Sequence, residues 1–323
     1  MASDENLASR LVVQAARGLE AQLRGLAAHR MVFFAGLPGT GKSLLVHQLA
    51  HLALGAGRSV HLLQWDVARP VFEASPAGRR YPLTGGVTHA VIRKAAGLWV
   101  RQALVAWNER HPGPEQLLIG ETPFVGSRFI ELARLANMGG LAAGPPSPPM
   151  LGAPRQSRGA PREYSDRLQD DRAEALLTSP SCRFVIAVPS RDVRRFLEAE
   201  RERRSASPLH PREREDAPPQ VLRDLGRELA DIAGRLGISA PSDDYDPVVY
   251  RRVYETILRH RNVEIVPLDV ILPTGALSVY DFAVDPLSVV PTEDETGAFI
   301  ASVERRYPNR AVLDREIDGW WEG

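Results

Sequence analysis

Residues 36 to 43 read GLPGTGKS, and their types and spacing describe a way to hold phosphate. Gly36, Gly39 and Gly41 let the backbone curl so that successive N–H groups face one anion. Lys42 has the reach to lie against the outer phosphates of a nucleotide, and the Ser43 hydroxyl suits a ligand for Mg2+. The helix expected to start here would add its positive end to the same nest. The spacing G-x-x-x-x-G-K-[ST] stands in its required setting, after an apolar run and before a helical one. Gly36, Leu37, Pro38, Gly39, Thr40, Gly41, Lys42, Ser43 and Leu44 are therefore the candidate nucleotide contacts. Lys42 and Lys94 are the only lysines among 40 basic side chains, and neither stands in an [NT]-K-x-D guanine-reading motif. That argues against a guanine-specific GTPase. The D-x-x-G match at 231–234 lies far downstream in an expected helix and is read as chance.

Transfer of a phosphoryl group to a hydroxyl needs a carboxylate near the nucleophile, an acid that organises the metal, and cations over the γ-phosphate. The run LLQWDVAR (62–69) places Asp66 beyond an expected strand, where open α/β sheets carry ligand-handling groups. Asp66 is the candidate general base, and Arg69 a candidate substrate contact whose plain alternative is a pair with Glu73. The run LLIGE ends in Glu121, the candidate acid for Mg2+. Arg128 follows it by seven residues and is a candidate for both catalysis and substrate binding. Arg93, on a long expected helix, is a further acceptor-side candidate. The stretch SRDVRRFLEAERERR (190–204) crowds Arg194, Arg195, Arg201, Arg203 and Arg204 against three glutamates. Much of that is a solvated i,i+4 face. As a flap, its arginines would neutralise transition-state charge, with Arg201 and Arg204 as the catalytic candidates.

Elements must position these groups. Apolar spacing predicts a helix over 4–28, capped by Ser3 or Asp4. Strands are expected at 31–36, 59–65, 116–121, 182–189 and 262–268. Helices are expected at 43–54, 88–111, 127–138, near 167–178, and at 190–204, 220–236 and 247–260. The alternation argues for α/β with a largely parallel sheet. Residues 139–162 are Gly/Pro/Ser/Arg-rich and read as a flexible insertion, and 205–219 as a second soft, Pro-rich stretch. The division is an N-terminal helix (1–29), a central domain (30–270, with a lid region at 190–219) and a C-terminal extension (271–323). The extension reads as short mixed segments with a final helix ending at Trp320 and Trp321.

The 323 residues are 44% hydrophobic and 25% charged, with zero formal net charge. Such a balance carries no global basic field for nucleic acid. The single cysteine, Cys182, excludes a disulfide within the chain and reads as a small buried hydrophobe. No apolar stretch approaches the roughly 20 residues that span a bilayer, and the polar N-terminus is unlike a signal peptide. A cytoplasmic setting is expected. His47 and His51, i,i+4 on one helix, read as helix surface.

With these residues assembled, the chain resembles the P-loop small-molecule kinases, especially the nucleoside and nucleotide kinases and adenylylsulfate kinase. LQWDVAR (63–69) looks like the L-D-G-D-N-V-R segment of adenylylsulfate kinases, with Asp66 and Arg69 matching and Gln64 departing. Asp66 also sits where deoxynucleoside kinases have a general-base Glu. GETPFVGSRF (120–129) is similar to their E-R-S-x-x-S-x-R-Y stretch. Glu121 and Arg128 match, Phe129 replaces Tyr, and Thr122 and Pro123 replace the Arg and Ser. The arginine-rich helix resembles the lid that those kinases close over ATP. The resemblance covers about residues 30 to 270, and only the phosphate loop is highly specific. It implies a three-layer sandwich around a five-stranded parallel sheet of order 2-3-1-4-5. It also implies ATP and Mg2+, and transfer to a small-molecule hydroxyl or phosphate acceptor, a nucleoside or nucleotide being favoured. A dimer is compatible with this reading. Two alternatives stay open: a regulatory or assembly ATPase without an acceptor, and a polynucleotide end kinase using the 155–167 arginines and the lid.

Overall fold

The computed structural model describes residues 10–84, 87–122, 172–215, 219–238, 245–275 and 277–322. Their apolar runs become strands, the inner ones buried on both faces as a parallel sheet between helices requires and the two edge ones partly or fully exposed. These are β1 (Met31–Ala35), β2 (Ser59–Leu63), β3 (Gln116–Glu121), β4 (Cys182–Pro189), β5 (Val263–Leu268) and the two-residue β6 (Leu287–Ser288). All pair parallel, in the order β5-β4-β1-β3-β2-β6. The sheet thus has six strands where five were expected. The sixth comes from the C-terminal stretch, and its shortness left no apolar run to see.

The helices are α1 (Arg17–Leu26), α2 (Lys42–Gly55), α3 (Trp65–Ala74), α4 (Ala90–Arg110), α5 (Arg172–Leu177), α6 (Arg191–Ala206), α7 (Pro219–Arg235), α8 (Pro247–Ile257), α9 (Glu293–Arg306) and α10 (Arg310–Asp318). Side chains alternate across the sheet. Met31, Phe33 and Ala35 join a core with Trp99 of α4, Tyr254 of α8, Ile300 of α9 and Ile317 of α10. Val32 and Phe34 join the other core, with Leu23 of α1 and Leu49 of α2.

Local chemistry sets the boundaries. Ser190 caps α6 by accepting from Val193 N, and Asp246 caps α8 by accepting from Val248 and Val249 N. Thr292 and Glu295 form a reciprocal capping box at α9. The expected N-terminal helix is shorter: a 3-10 turn at Val12–Ala15 precedes α1, and Ser3, Asp4 and Leu7 lie outside the described residues. The expected helix at 127–138 and the insertion at 139–162 lie outside them too.

The stretch read as a C-terminal extension supplies β6, α9 and α10, and α9 packs along α4 and α3. The soft reading of 205–219 also changes. Residues Pro211–Glu215 form a 3-10 turn around buried Glu213. Its carboxylate accepts from Ser278 Oγ at 2.5 Å, Leu209 N at 2.7 Å and Arg204 Nη1 at 3.1 Å. His47 and His51 are buried rather than on the surface, and His51 Nε2 lies 2.9 Å from the Phe282 carbonyl. Cys182 is buried, which pushes its thiol up to about 12.

Beneath the sheet, Glu174 of α5 bridges two buried arginines. Arg101 of α4 approaches it at 3.0 Å and Arg261 at 2.8 Å. At the β5 edge, Gln22 of α1 donates to Ile265 O at 2.8 Å, and Pro267 interrupts the strand's donors. No helix among the described residues is long and apolar enough to cross a membrane.

Candidate functional site

The loop between β1 and α2 has Gly36, Gly39 and Gly41 at φ of 118°, 74° and 82°, while no other residue type among those described has positive φ. At Gly36 space forbids a side chain as well: a Cβ there would lie 1.9 Å from Tyr250 Oη. The loop is gripped from outside. Leu37 N donates to Tyr250 Oη at 3.3 Å, and Thr122 Oγ1 donates to Gly36 O at 2.9 Å. Thr40 Oγ1 donates to Leu37 O at 2.9 Å, and the Lys42 ammonium donates to the same carbonyl. Arg194 Nη1 donates to Pro38 O at 2.8 Å, while its Nε pairs with Glu198 at 2.6 Å.

Lys42 starts α2 and Glu121 ends β3, the strand next to β1. Both are buried. Burial lowers Lys42 to about 7; Glu121 opposes that shift, and Arg194 and Arg201 add to it. Burial raises Glu121 to about 7, Asp66 adds to the rise, and Lys42 and a hydrogen bond from Gln64 oppose it. Three charged groups from three strand ends therefore sense one another. Asp66 lies one step further than expected: β2 ends at Leu63, and Asp66 occupies the first turn of α3, where a carboxylate also suits the helix dipole.

These groups line one cleft of about 480 Å3 at the carboxyl ends of the strands. Gly36, Leu37, Pro38, Gly39, Gly41, Lys42, Ser43 and Leu44 form its floor, with Asp66, Arg93 and Glu121 to one side and Arg201 and Arg204 of α6 to the other. Three candidates are not brought in. Thr40 is fully buried, is not part of the lining, and turns its hydroxyl to Leu37 O. Arg69 is not part of the lining and turns to Glu73, Nε to carboxylate 3.9 Å. Arg128 lies outside the described residues. The lid reading also needs narrowing, because Arg204 is held by Glu200 and Glu213 and Arg203 makes a solvent-facing pair with Glu200.

The chain matches no family model, no curated protein and no solved structure. The cleft's own chemistry must carry the reading.

Among the described residues no cluster of three or more His, Cys, Asp or Glu side chains could hold a metal by itself. A hard dication here would draw on the Ser43 hydroxyl and the Glu121 carboxylate and complete its shell with phosphate oxygens and water. Both side chains line the cleft, and the donors are oxygen throughout, which fits Mg2+ and not a softer ion. Sequence reasoning passed over Tyr250, which reaches the loop from 213 positions away; a tyrosine in a helix carries no signal of such a contact. Arg194 was visible only as one of five arginines. Its spacing four before Glu198 is shared by many exposed pairs, but here its guanidinium is buried over the Tyr245 ring, 5.4 Å from its centre.

Proposed function

We propose that this chain is an ATP-dependent phosphotransferase acting on a small-molecule hydroxyl or phosphate acceptor. The observation that carries the proposal is the convergence of a phosphate-loop lysine, two separate acids (Asp66 and Glu121) and two lid-side arginines on one cleft. A hydrolysing switch needs only the loop, the metal acid and a positioned water. The second carboxylate, on α3 and away from the loop, gives an acceptor hydroxyl somewhere to lose its proton.

In this reading the loop holds the nucleotide phosphates, with Lys42 against the outer ones. Ser43 and Glu121 hold Mg2+, which when bound supplies charge neutralisation across the phosphates. Asp66 takes the acceptor's proton as the acceptor oxygen bonds to the γ-phosphorus and the bond from that phosphorus to the bridging oxygen breaks. Arg201 balances charge on the transferring group, while Arg204 stays with Glu200 and Glu213.

The test is an ATP-consumption screen across nucleosides, nucleotides, sugars and polynucleotide ends. Turnover stimulated by one small-molecule class supports the reading. Turnover indifferent to every acceptor would move the chain to the hydrolysing class, and stimulation confined to polynucleotide ends would move it to end repair.

A further inference from the structure

Glu213 is buried and lines the cleft, yet it takes no part in the steps set out above. Both of its oxygens are committed. Oε2 accepts from Leu209 N at 2.7 Å and from His210 N at 3.3 Å, which seats the carboxylate in its own turn. Oε1 accepts from Arg204 Nη1 at 3.1 Å and from Ser278 Oγ at 2.5 Å, which reach it from two other parts of the chain. Arg204 stands near the end of α6. Ser278 caps the 3-10 turn Val279–Phe282, in the stretch that follows β5. Arg204 Nη2 also donates to Leu277 O at 3.3 Å. The Tyr280 ring lies 5.3 Å from the His210 ring and 4.6 Å from the Arg212 guanidinium. Glu213 and its chain neighbours thus grip the stretch at Leu277, Ser278 and Tyr280.

That grip has work to do. Between the end of β5 and Ser278 the described residues form no helix or strand. The backbone bonds of Thr274 N to Leu272 O, 2.9 Å, and of Leu277 N to Thr274 O, 3.1 Å, stay within the stretch. Even so, Val270, Ile271, Leu272 and Thr274 line the cleft, and Val270 and Ile271 are about half exposed, at 48% and 52%. This lining is fastened at one end by β5 and at the other by the group around Glu213.

We infer that Glu213 is a positioning residue for nucleotide binding: it fastens the stretch after β5 to the end of α6, and so holds Val270, Ile271, Leu272 and Thr274 where they line the cleft. The inference rests on the cleft being the nucleotide site proposed above. A carboxylate suits this place better than an amide. N–H groups face both of its oxygens, so an amide in either orientation would turn its own donor toward another donor. A stretch left loose would have to be ordered when nucleotide binds, and that cost is subtracted from affinity.

The experiment uses the full chain and two measurements: hydrogen exchange at the bonded amides of Thr274 and Leu277, and calorimetry with ATP. Glu213→Gln should speed exchange at both amides at least tenfold and weaken ATP at least fivefold, with exchange in β1 and β3 held within twofold. Ser278→Ala keeps the pair of Glu213 with Arg204. It should act in the same direction but less, at least threefold on exchange and twofold on ATP. Should Glu213→Gln fail to fold, Ser278→Ala decides. A purely structural Glu213 would lower the melting temperature and leave ATP affinity unchanged in the folded variants, and that result would overturn the inference. Exchange at Thr274 and Leu277 that stays at the wild-type rate would overturn it too. A wild type that binds no ATP would sink the phosphotransferase reading, and the exchange rates alone would then decide whether Glu213 holds the stretch. Wild-type transfer from ATP, with both variants matching it in affinity and exchange, would sink the inference and leave the reading standing.

Discussion

A buried lysine beside a buried glutamate holds its charge only by virtue of its surroundings, and Lys42 and Glu121 are such a pair. Replacing Lys42 with alanine should leave the fold intact by circular dichroism and lower nucleotide turnover about 100-fold or more. Asp66→Asn should behave differently. Exposed on α3, it should leave ATP affinity within about twofold by calorimetry while transfer falls about 100-fold. Equal loss of both in that variant would remove Asp66 as base. His47 supports a titration experiment on α2. Burial, with help from His51 and Arg212, lowers it to about 4. The unfolded chain takes that proton near 6.5, so between about 4 and 6.5 the unfolded state binds more protons. Stability should therefore fall as pH drops through that window, by at most about 1.4 kcal/mol per pH unit from this group. Urea titrations should show a flatter dependence for His47→Gln than for the wild type.

The loop between β1 and α2 behaves as an element in its own right. Its shape is set by glycines and by clamps from β3, α6 and α8. Gly36→Ala would meet both a left-handed φ and the Tyr250 hydroxyl. It should cost about 2–4 kcal/mol by denaturant unfolding. Combining it with Tyr250→Phe should return only part of that, since the Cβ would still lie 3.2 Å from Cζ. Full recovery would show that the clash alone matters. The loop's shape was legible because glycines at that spacing, between an apolar run and a helical one, supply the left-handed backbone it adopts. Its clamps were not. Tyr250 and Arg194 act from elements distant in sequence, and nothing local distinguishes a tyrosine that grips a loop from one that fills a core. The arginine-rich helix was legible as a helix beside the site. Which of its arginines reach the cleft depends on partners such as Glu213, which stood in a stretch that seemed too polar and Pro-rich to order.

At the scale of the whole molecule, strands β1, β3 and β4 were legible because each is an unbroken apolar run bounded by turn residues. Of the C-terminal stretch only the final helix, α10, was legible; β6 offers two residues of pattern and α9 buries only one face. Glu174 pairs with both the buried Arg101 and the buried Arg261, and removing that carboxylate takes an ion-pair partner from each. Glu174→Ala should cost about 3–5 kcal/mol in urea, whereas a variant at the exposed Arg227–Asp224 pair should change stability by less than about 1 kcal/mol.

The ends of the sheet carry a consequence for life at high concentration. An exposed strand edge is a template on which other chains assemble. Here β5 has a carbonyl taken by Gln22 and lacks a donor at Pro267, and β6 presents only Leu287 and Ser288. The hydrogen-bond ladder is a lattice terminated at both borders, so these edges give fibril growth little place to start.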